Sequence, residues 1–265
     1  VFDQDAGIGS AVIRFLPSKD SDELPWVKVF SHYFQGPGGW YIEKSLTTIG
    51  QKDPVYEFNG TLYNSGDEAL KEQGRKQKRN VSYYANIYVV KDPANPQNEG
   101  RVFLYKYGKK IFDKIMDVMQ PEFEDETPIN PFDLWAGANF KLKIVKKDGF
   151  WNYDKSEFDS PNPLLEDDDA LEAVWKKEFS LTAFTANDQF KTYDELKTRL
   201  DYVLGAKAKL QVAQETEYDN YAAQETQKVT EEEVLKKLET SYQESKAVET
   251  VNAPSSEEEE DPLSY

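Results

Sequence analysis

Six short segments rich in aromatic and β-branched residues lie in the first 146 positions of this 265-residue chain, and many of them alternate apolar with polar residues. Turn-forming sequences such as GPGG and DPANP separate them. Segments of this length and spacing predict the strands of a small barrel or sandwich. The six are Ala11–Leu16, Trp26–Tyr33, Trp40–Glu43, Val81–Val90, Arg101–Tyr107 and Asn139–Lys146.

Helical spacing of apolar residues appears at three further places, so the predicted fold class is mainly β with α additions. Residues 109–119 predict a helix packed on the sheet, and Ala170–Phe179 predicts a second helix. The third, Thr192–Leu204, is the clearest, because Thr192 and Glu195 form a capping-box sequence at its start.

The same reading divides the chain into three parts. Residues 1–205 predict a core that contains an inserted loop subdomain of about 44–80 and helices of about 166–204. Residues 206–229 are rich in Ala, Gln and Thr and predict a linker. Residues 230–265 predict a marginal helix followed by an acidic tail.

The acidic residues are concentrated at the C-terminal end of the chain. Residues 211–265 hold fifteen Asp and Glu against four Lys, in a chain of net charge −17. The end of this segment, SSEEEEDPLSY, buries too little apolar surface to fold, so we predict that the acidic tail is disordered. We also predict that its block of consecutive acids contacts partner proteins, through Glu257, Glu258, Glu259, Glu260 and Asp261.

Several classes of function lack the residues they need. The chain has no cysteine and a single histidine, His32, which excludes disulfides and thiolate metal sites. No phosphate-binding glycine loop, nucleophile elbow or H-E-x-x-H motif occurs. The runs of Asp and Glu are typical of solvated faces rather than of paired catalytic carboxylates. We therefore expect no enzyme activity and no cofactor. The sequence also has no apolar run long enough for a membrane helix.

One basic stretch interrupts this acidic chain. Residues 71–110 hold ten Lys and Arg against three Asp and Glu, with six Tyr and Phe among them. Cations that follow phosphates, beside rings that stack on bases, are what a groove for unpaired nucleic acid needs. The candidate residues are Arg75, Lys76, Lys78, Arg79, Tyr83, Tyr84, Tyr105, Lys106, Tyr107, Lys109 and Lys110.

The alternative reading of these rings is core packing. Strand alternation places Tyr84 and Tyr88 on one face and Tyr83 on the other, while Tyr105 and Tyr107 share a face. We expect about half of the rings in the core and half available to a ligand. A second aromatic group, Gly149–Asp154, taken alone predicts a turn with hydrophobic anchors.

Six segments resemble the T4-type bacteriophage single-stranded DNA-binding proteins, in order, over about residues 8–200. They are AVIRFLPSK, GWYIE, Ser82–Ile115, GANFKLK, GFWNYD and DQFKTYDEL. The resemblance implies a barrel of the oligonucleotide/oligosaccharide-binding (OB) fold. It also implies a non-enzymatic protein that coats single strands, removes their secondary structure and recruits enzymes of phage DNA replication, recombination and repair.

The resemblance also implies individual site residues. The arginine of the first matching strand is Arg14, and Lys78–Ser82 corresponds to a basic cluster followed by a hydroxyl. Aromatic residues of the cleft fall on Tyr63, Tyr83, Tyr84, Tyr105, Phe150 and Tyr153, and Trp151 lies within the same group.

The chain departs from that family at its structural zinc site. His32 corresponds to the zinc-binding histidine, but Ser45, Asp53 and Tyr56 stand at the three cysteine positions. A closed tetrahedral zinc site needs four suitable ligands, so we expect no metal and a subdomain held by packing. The sequence begins at Val1 in strand-like residues and has no match to the family's basic N-terminal arm, so we expect that an N-terminal segment is missing. We expect self-association along DNA only with such an arm.

The sequence thus predicts single-stranded DNA as the main partner, replication and recombination proteins as partners of the tail, and a cytoplasmic location in an infected host. Two other readings stay open. The chain could be an acidic interaction adaptor or RNA-binding module with an aromatic barrel face, or, more remotely, a carboxylate-dependent hydrolase.

Overall fold

The computed structural model describes residues 2–3, 8–19, 23–123 and 125–205. The predicted linker, the predicted helix 230–246 and the acidic tail lie outside the described residues, so their predicted conformations and the domain boundaries stay predictions.

One antiparallel sheet of nine strands forms the centre of the described core, in the order β4-β3-β5-β2-β7-β8. Three further strands pair beside this path: β1 with β2, β6 with β5 and β9 with β7. The strands are β1 (Phe2–Asp3), β2 (Ile8–Phe15), β3 (Val27–Gly36), β4 (Gly39–Lys44), β5 (Asn80–Lys91), β6 (Val102–Tyr107), β7 (Ala138–Lys147), β8 (Phe150–Asn152) and β9 (Glu157–Pro161). All six predicted strands are confirmed, as is the predicted fold class of mainly β with α additions, while the OB-fold assignment stays a prediction.

Five α-helices accompany the sheet in the part of the chain that the structure describes. They are α1 (Pro54–Asn64), α2 (Glu68–Lys76), α3 (Lys109–Met119), α4 (Asp168–Trp175) and α5 (Tyr193–Leu204). The structure confirms the predicted helix at 109–119 and the capping box of α5, in which the Thr192 side chain accepts from the Glu195 amide and the Glu195 carboxylate accepts from Thr192 N. Helix α4 ends at Trp175, earlier than the predicted Phe179.

Two helices that the sequence analysis did not predict lie within the inserted loop subdomain. Asp53 caps α1 by accepting from the amides of Val55 and Tyr56, and Pro54 begins that helix. Asp67 caps α2 by accepting from the amide of Ala69. Helix α2 is polar enough to resemble a loop in sequence. Asx caps followed by Pro or Glu are nevertheless recognised start signals, and both helices have them.

Apolar packing holds α1 and α5 against the end of the sheet. Val55 of α1 lies in one buried cluster with Phe34 of β3, Tyr41 of β4 and Leu200 of α5. The inserted subdomain is thus anchored to the β3–β4 hairpin through a shared hydrophobic core.

Strand β8 was also missed, since Gly149–Asp154 taken alone predicted a turn. A two-residue turn does precede it: Asp148 and Gly149 both have positive φ, 51° and 83°, which favours a tight hairpin of the primed type. The chain then returns as β8, with Phe150 opposite Lys147 and Trp151 opposite Lys146.

Candidate nucleic-acid interface

A groove with a volume of about 560 Å³ runs between the β6–α3 connection and the β7–β8 hairpin. Its lining combines aromatic rings, lysines and an aliphatic floor. The lining residues are Ser82, Tyr105, Lys106, Tyr107, Gly108, Lys109, Lys110, Ile111, Leu142, Ile144, Trp151 and Tyr153. Seven predicted site residues from two distant parts of the sequence therefore meet here.

Local sequence explains how the lysines reach the groove. Strand β6 ends at Tyr107, and Gly108 begins α3 as its N-cap residue. Lys109 and Lys110 form the first turn of that helix, and both are exposed. The floor, Leu142 and Ile144, comes from alternate positions of β7. The sequence reading missed this floor, although the alternation of β7 was visible.

Two of the groove lysines pair with carboxylates at its edge. Lys109 Nζ donates to Asp113 Oδ1 at 2.7 Å, and Lys110 Nζ donates to Asp154 Oδ1 at 3.1 Å. Hydrogen bonds from Asn152 and Lys110 hold the pKa of Asp154 below its ordinary value. Exposed ion pairs of this kind contribute little because solvent screens them, so phosphate can replace the carboxylate as partner.

Among the groove aromatics, Trp151 is exposed, whereas Tyr153 and Tyr105 are half-buried. Trp151 is 48% exposed, and Lys146 Nζ lies 5.7 Å from the centroid of its ring. Phe150 is 79% exposed but does not line the groove. Tyr105 lines the groove and is half-buried, and burial raises the pKa of its hydroxyl, which therefore stays neutral and able to donate.

Tyr83 and Tyr107 belong to the core rather than to an open face. They are only 3% and 4% exposed, their rings stack on each other with centroids 5.7 Å apart, and Tyr83 also stacks on Phe112 at 3.9 Å. The predicted base contacts for these two rings therefore do not fit this structure. Tyr107 borders the groove through its position at the end of β6, not through an exposed ring.

Tyr84 lies on the opposite face of β5 from Tyr83, as strand alternation predicted. Its ring stacks on Phe184 with centroids 4.2 Å apart, and Lys106 Nζ lies 5.8 Å from its centroid. Tyr84 is half-buried and does not line the groove, whereas Lys106 does. Lys106 therefore connects the groove to this second aromatic position.

Arg14 is the clearest correction, since it has no exposed surface. Its guanidinium donates to Asn139 Oδ1, to the carbonyl of Asp133 and to both the carbonyl and Oδ1 of Asn162, at 2.7–3.1 Å. Gly137 makes room for it, because a Cβ there would come within 2.9 Å of Nη1. Burial lowers the pKa of Arg14 to about 10, so it stays charged at neutral pH as a structural residue, not a phosphate ligand.

The predicted residues of the inserted subdomain do not line the groove. Arg75 pairs with Glu68 and Glu72 along α2, at 2.8 and 3.0 Å. The Arg79 guanidinium lies over the rings of Phe30 and Tyr56, 4.4 and 4.7 Å from their centroids.

The other three occupy different surroundings. The ring of Tyr63 packs where a side chain on Gly74 would stand, 3.2 Å from its ideal Cβ position. Lys76 and Lys78 are exposed on either side of the buried Gln77.

The positions that correspond to zinc ligands form a hydrogen-bonded interior instead. His32 Nδ1 lies 3.0 Å from the carbonyl of Gln77, and Nε2 lies 3.4 Å from Asp53 Oδ1. Ser45 Oγ bonds Thr47, while Tyr56 packs beneath Arg79. Within the described ranges, no three His, Cys, Asp or Glu side chains form a group that could hold a metal ion.

Comparison with known proteins places this arrangement in a family. Residues 7–204 match the family described as gp32 DNA binding protein like. The chain belongs to this family. It is 43% identical over 210 residues to the single-stranded DNA-binding protein of Enterobacteria phage T2, covering 77% of this chain and 68% of that protein. It is 42% identical over 207 residues to the protein of the same name from Enterobacteria phage T4, covering 76% and 67%.

Membership of the gp32-like family covers the groove and the inserted subdomain alike, since both fall within the matched residues. In the described part of the chain, no helix is long and apolar enough to cross a membrane.

Proposed function

We propose that this protein binds single-stranded DNA along the groove, with little sequence preference and without catalysing a reaction. The observation that carries the proposal is the lining itself: three lysines and the rings of Tyr105, Trp151 and Tyr153 converge on one open channel, and none of the described residues that line it is acidic. Lysines suit phosphates, and aromatic faces stack on any base, which makes such binding tolerant of sequence.

The preference for single strands over duplexes follows from the same chemistry. In a duplex the bases stack on each other, so their faces are not available to Trp151 or Tyr153. A ligand that binds only open strands shifts the equilibrium of a hairpin toward the melted form. We therefore propose that the protein coats exposed strands, removes hairpins and protects DNA during phage replication, recombination and repair inside an infected host.

The acidic tail carries a separate part of the proposal. The block Glu257–Asp261 follows a stretch with strong negative charge, and we propose that it recruits replication and recombination proteins with basic surfaces. We also propose that neighbouring molecules associate along DNA only when an N-terminal arm is present.

Competition binding tests the central proposal. A fluorescent oligo-dT is displaced by unlabelled oligo-dT, oligo-rU or a duplex of equal length. We expect oligo-dT to compete at least tenfold better than duplex. Equal or better competition by duplex would contradict the proposal, and stronger competition by oligo-rU would favour the RNA-binding alternative.

A further inference from the structure

The β3–β4 hairpin exposes three large apolar side chains at the far end of the sheet. Tyr33, Trp40 and Ile42 are 54%, 43% and 59% exposed. Tyr33 stands opposite Ile42 in the strand register, and the rings of Tyr33 and Trp40 lie 4.8 Å apart between centroids. We call these three residues the hairpin patch.

Strand register places the hairpin patch on the same sheet face as one wall of the groove. Val29 pairs with Ser82, which lines the groove, and Tyr33 follows Val29 by four residues on β3. Paired residues and every second residue along a strand share a face. Tyr33 therefore lies on the face of Ser82, and four residues of strand correspond to about 13 Å.

Polar and basic residues lie on the sheet between the groove and the hairpin patch. Asn80, Ser31 and Lys44 form one row across β5, β3 and β4, because Ser31 pairs with both of the others. Lys78, exposed, precedes this row on the chain. Nearer the groove, the ring of Phe184 covers Tyr84. A DNA strand that runs from the groove to the hairpin patch would therefore pass over the row of Asn80, Ser31 and Lys44, because Phe184 blocks the face at Tyr84.

A cation also borders the hairpin patch on its other side. Arg199 of α5 donates to the carbonyl of Trp40 at 2.8 Å, and its guanidinium lies 5.6 Å from the ring centroid of Tyr202. The only acid on β4, Glu43, alternates onto the opposite face and pairs with Lys191. Arg199 thus places a cation beside exposed rings, which is the combination found in the groove.

We propose that the hairpin patch is a second contact site for the same DNA strand, on which bases stack after the strand leaves the groove along the Asn80–Ser31–Lys44 row. The inference rests on the proposed function of the groove. It predicts two classes of ligand: short strands that fill only the groove, and longer strands that reach Tyr33 and Trp40. Single OB-type modules bind roughly 4–16 nucleotides, which allows both.

Oligonucleotide length provides the test. The double variant Tyr33→Ala/Trp40→Ala is compared with the wild type on oligo-dT of about 5 and about 16 nucleotides. We expect roughly tenfold weaker binding of the long strand and unchanged binding of the short one, as the loss of base stacking implies. The variant Tyr33→Phe/Trp40→Phe keeps the rings and should keep the affinity, and Phe123→Ala, which removes an exposed ring elsewhere, is the matched control.

The outcomes separate the two proposals. If the wild type binds neither strand, the proposed function of the groove is wrong and this inference is wrong with it. If the wild type binds both strands and the double variant binds the long one equally well, the groove stands and the second site is overturned. Unchanged DNA binding with weaker self-association in sedimentation would also overturn it, and would make the hairpin patch a protein-docking surface.

Discussion

Lys110 and Asp154 join the two walls of the groove, through a bond of 3.1 Å between Nζ and Oδ1. Lys110 stands in the first turn of α3 and Asp154 follows β8, so the pair closes the edge of the channel that we assign to DNA. Asp154 also accepts from Asn152 Nδ2 at 2.7 Å, which holds the carboxylate in place. A phosphate that binds Lys110 must compete with this carboxylate.

Neutralising that carboxylate should therefore strengthen DNA binding. We expect Asp154→Asn to raise the affinity for oligo-dT roughly two- to fivefold at low salt, since one exposed competing charge is removed. The gain should disappear at high salt, where the Debye length is only a few ångströms. Fluorescence anisotropy at several salt concentrations measures it. Weaker binding by Asp154→Asn would mean that the pair organises the groove rather than competes with DNA.

Trp151 should contribute most among the groove aromatics, because its ring is both accessible and in the channel. We expect Trp151→Ala to cost about 1–3 kcal/mol of binding free energy, the range for a ring that stacks on a base. Trp135→Ala is the matched control, since Trp135 is exposed but does not line the groove. Equal losses in the two variants would show that exposure, and not position in the groove, determines the effect.

Arg14 should affect stability and not binding. In Arg14→Lys a single ammonium cannot replace the four hydrogen bonds of the guanidinium, and carbonyls of Asp133 and Asn162 lose their donor. We expect unfolding in urea to show a loss of about 1–3 kcal/mol for each buried carbonyl that is left without its donor. Oligo-dT affinity, measured where the variant is still folded, should match the wild type. Wild-type stability combined with weak DNA binding would restore the sequence-based role of Arg14 in the cleft.

The inserted subdomain should depend on Asp53 and not on a metal. Asp53→Ala removes the cap of α1 and leaves buried His32 Nε2 without its 3.4 Å neighbour, so we expect about 2–4 kcal/mol of lost stability. Asp67→Ala, which removes the exposed cap of α2, should cost only about 1 kcal/mol. Chelators should leave the melting temperature of the wild type unchanged, and one tightly held zinc per chain in metal analysis would contradict this account.

Asp53 also predicts how stability depends on pH. Burial opposes its ionisation, but the contact with His32 and the amides of Tyr56 and Leu46 outweigh burial, so the folded-state pKa lies below the ordinary value. A lowered folded pKa means that the stabilisation is complete above the unfolded pKa of about 3.9 and is lost as pH falls through the folded pKa. Urea unfolding between pH 6 and about pH 2 should show a smaller acid-induced loss in Asp53→Asn than in the wild type.

The sequence predicted the groove better than its surroundings. Tyr105 and Lys109 carry signals that do not depend on the rest of the fold, namely ring chemistry, charge and strand alternation, whereas Trp151 entered the predicted site through the resemblance. The role of Arg14 could not be read in this way, because its partners lie 119 to 148 residues away and only the folded chain brings them together. Nothing local distinguishes a buried arginine on a strand from one that faces a ligand.

The sequence analysis did not predict α1, α2 or β8, although each has a local start signal. Asp53 and Asp67 marked the starts of α1 and α2, but the mean polarity of the segment favoured a loop. Asp148 and Gly149 marked the hairpin turn before β8, a recognised sequence signal that the aromatic content of GFWNYD obscured. In contrast, strand alternation correctly predicted that Tyr83 and Tyr84 lie on opposite faces of the sheet.

The salt dependence of binding tests the central claim most directly, that lysines of the groove hold the phosphates of a single strand. Each phosphate neutralised on a single strand contributes about 0.7 to the slope of log K against log salt. The three groove lysines therefore predict a slope of about −2 with oligo-dT of about 5 nucleotides, and Lys106→Gln/Lys109→Gln/Lys110→Gln should bring the slope close to zero. A slope that is the same in the wild type and the triple variant would show that DNA does not bind in this groove.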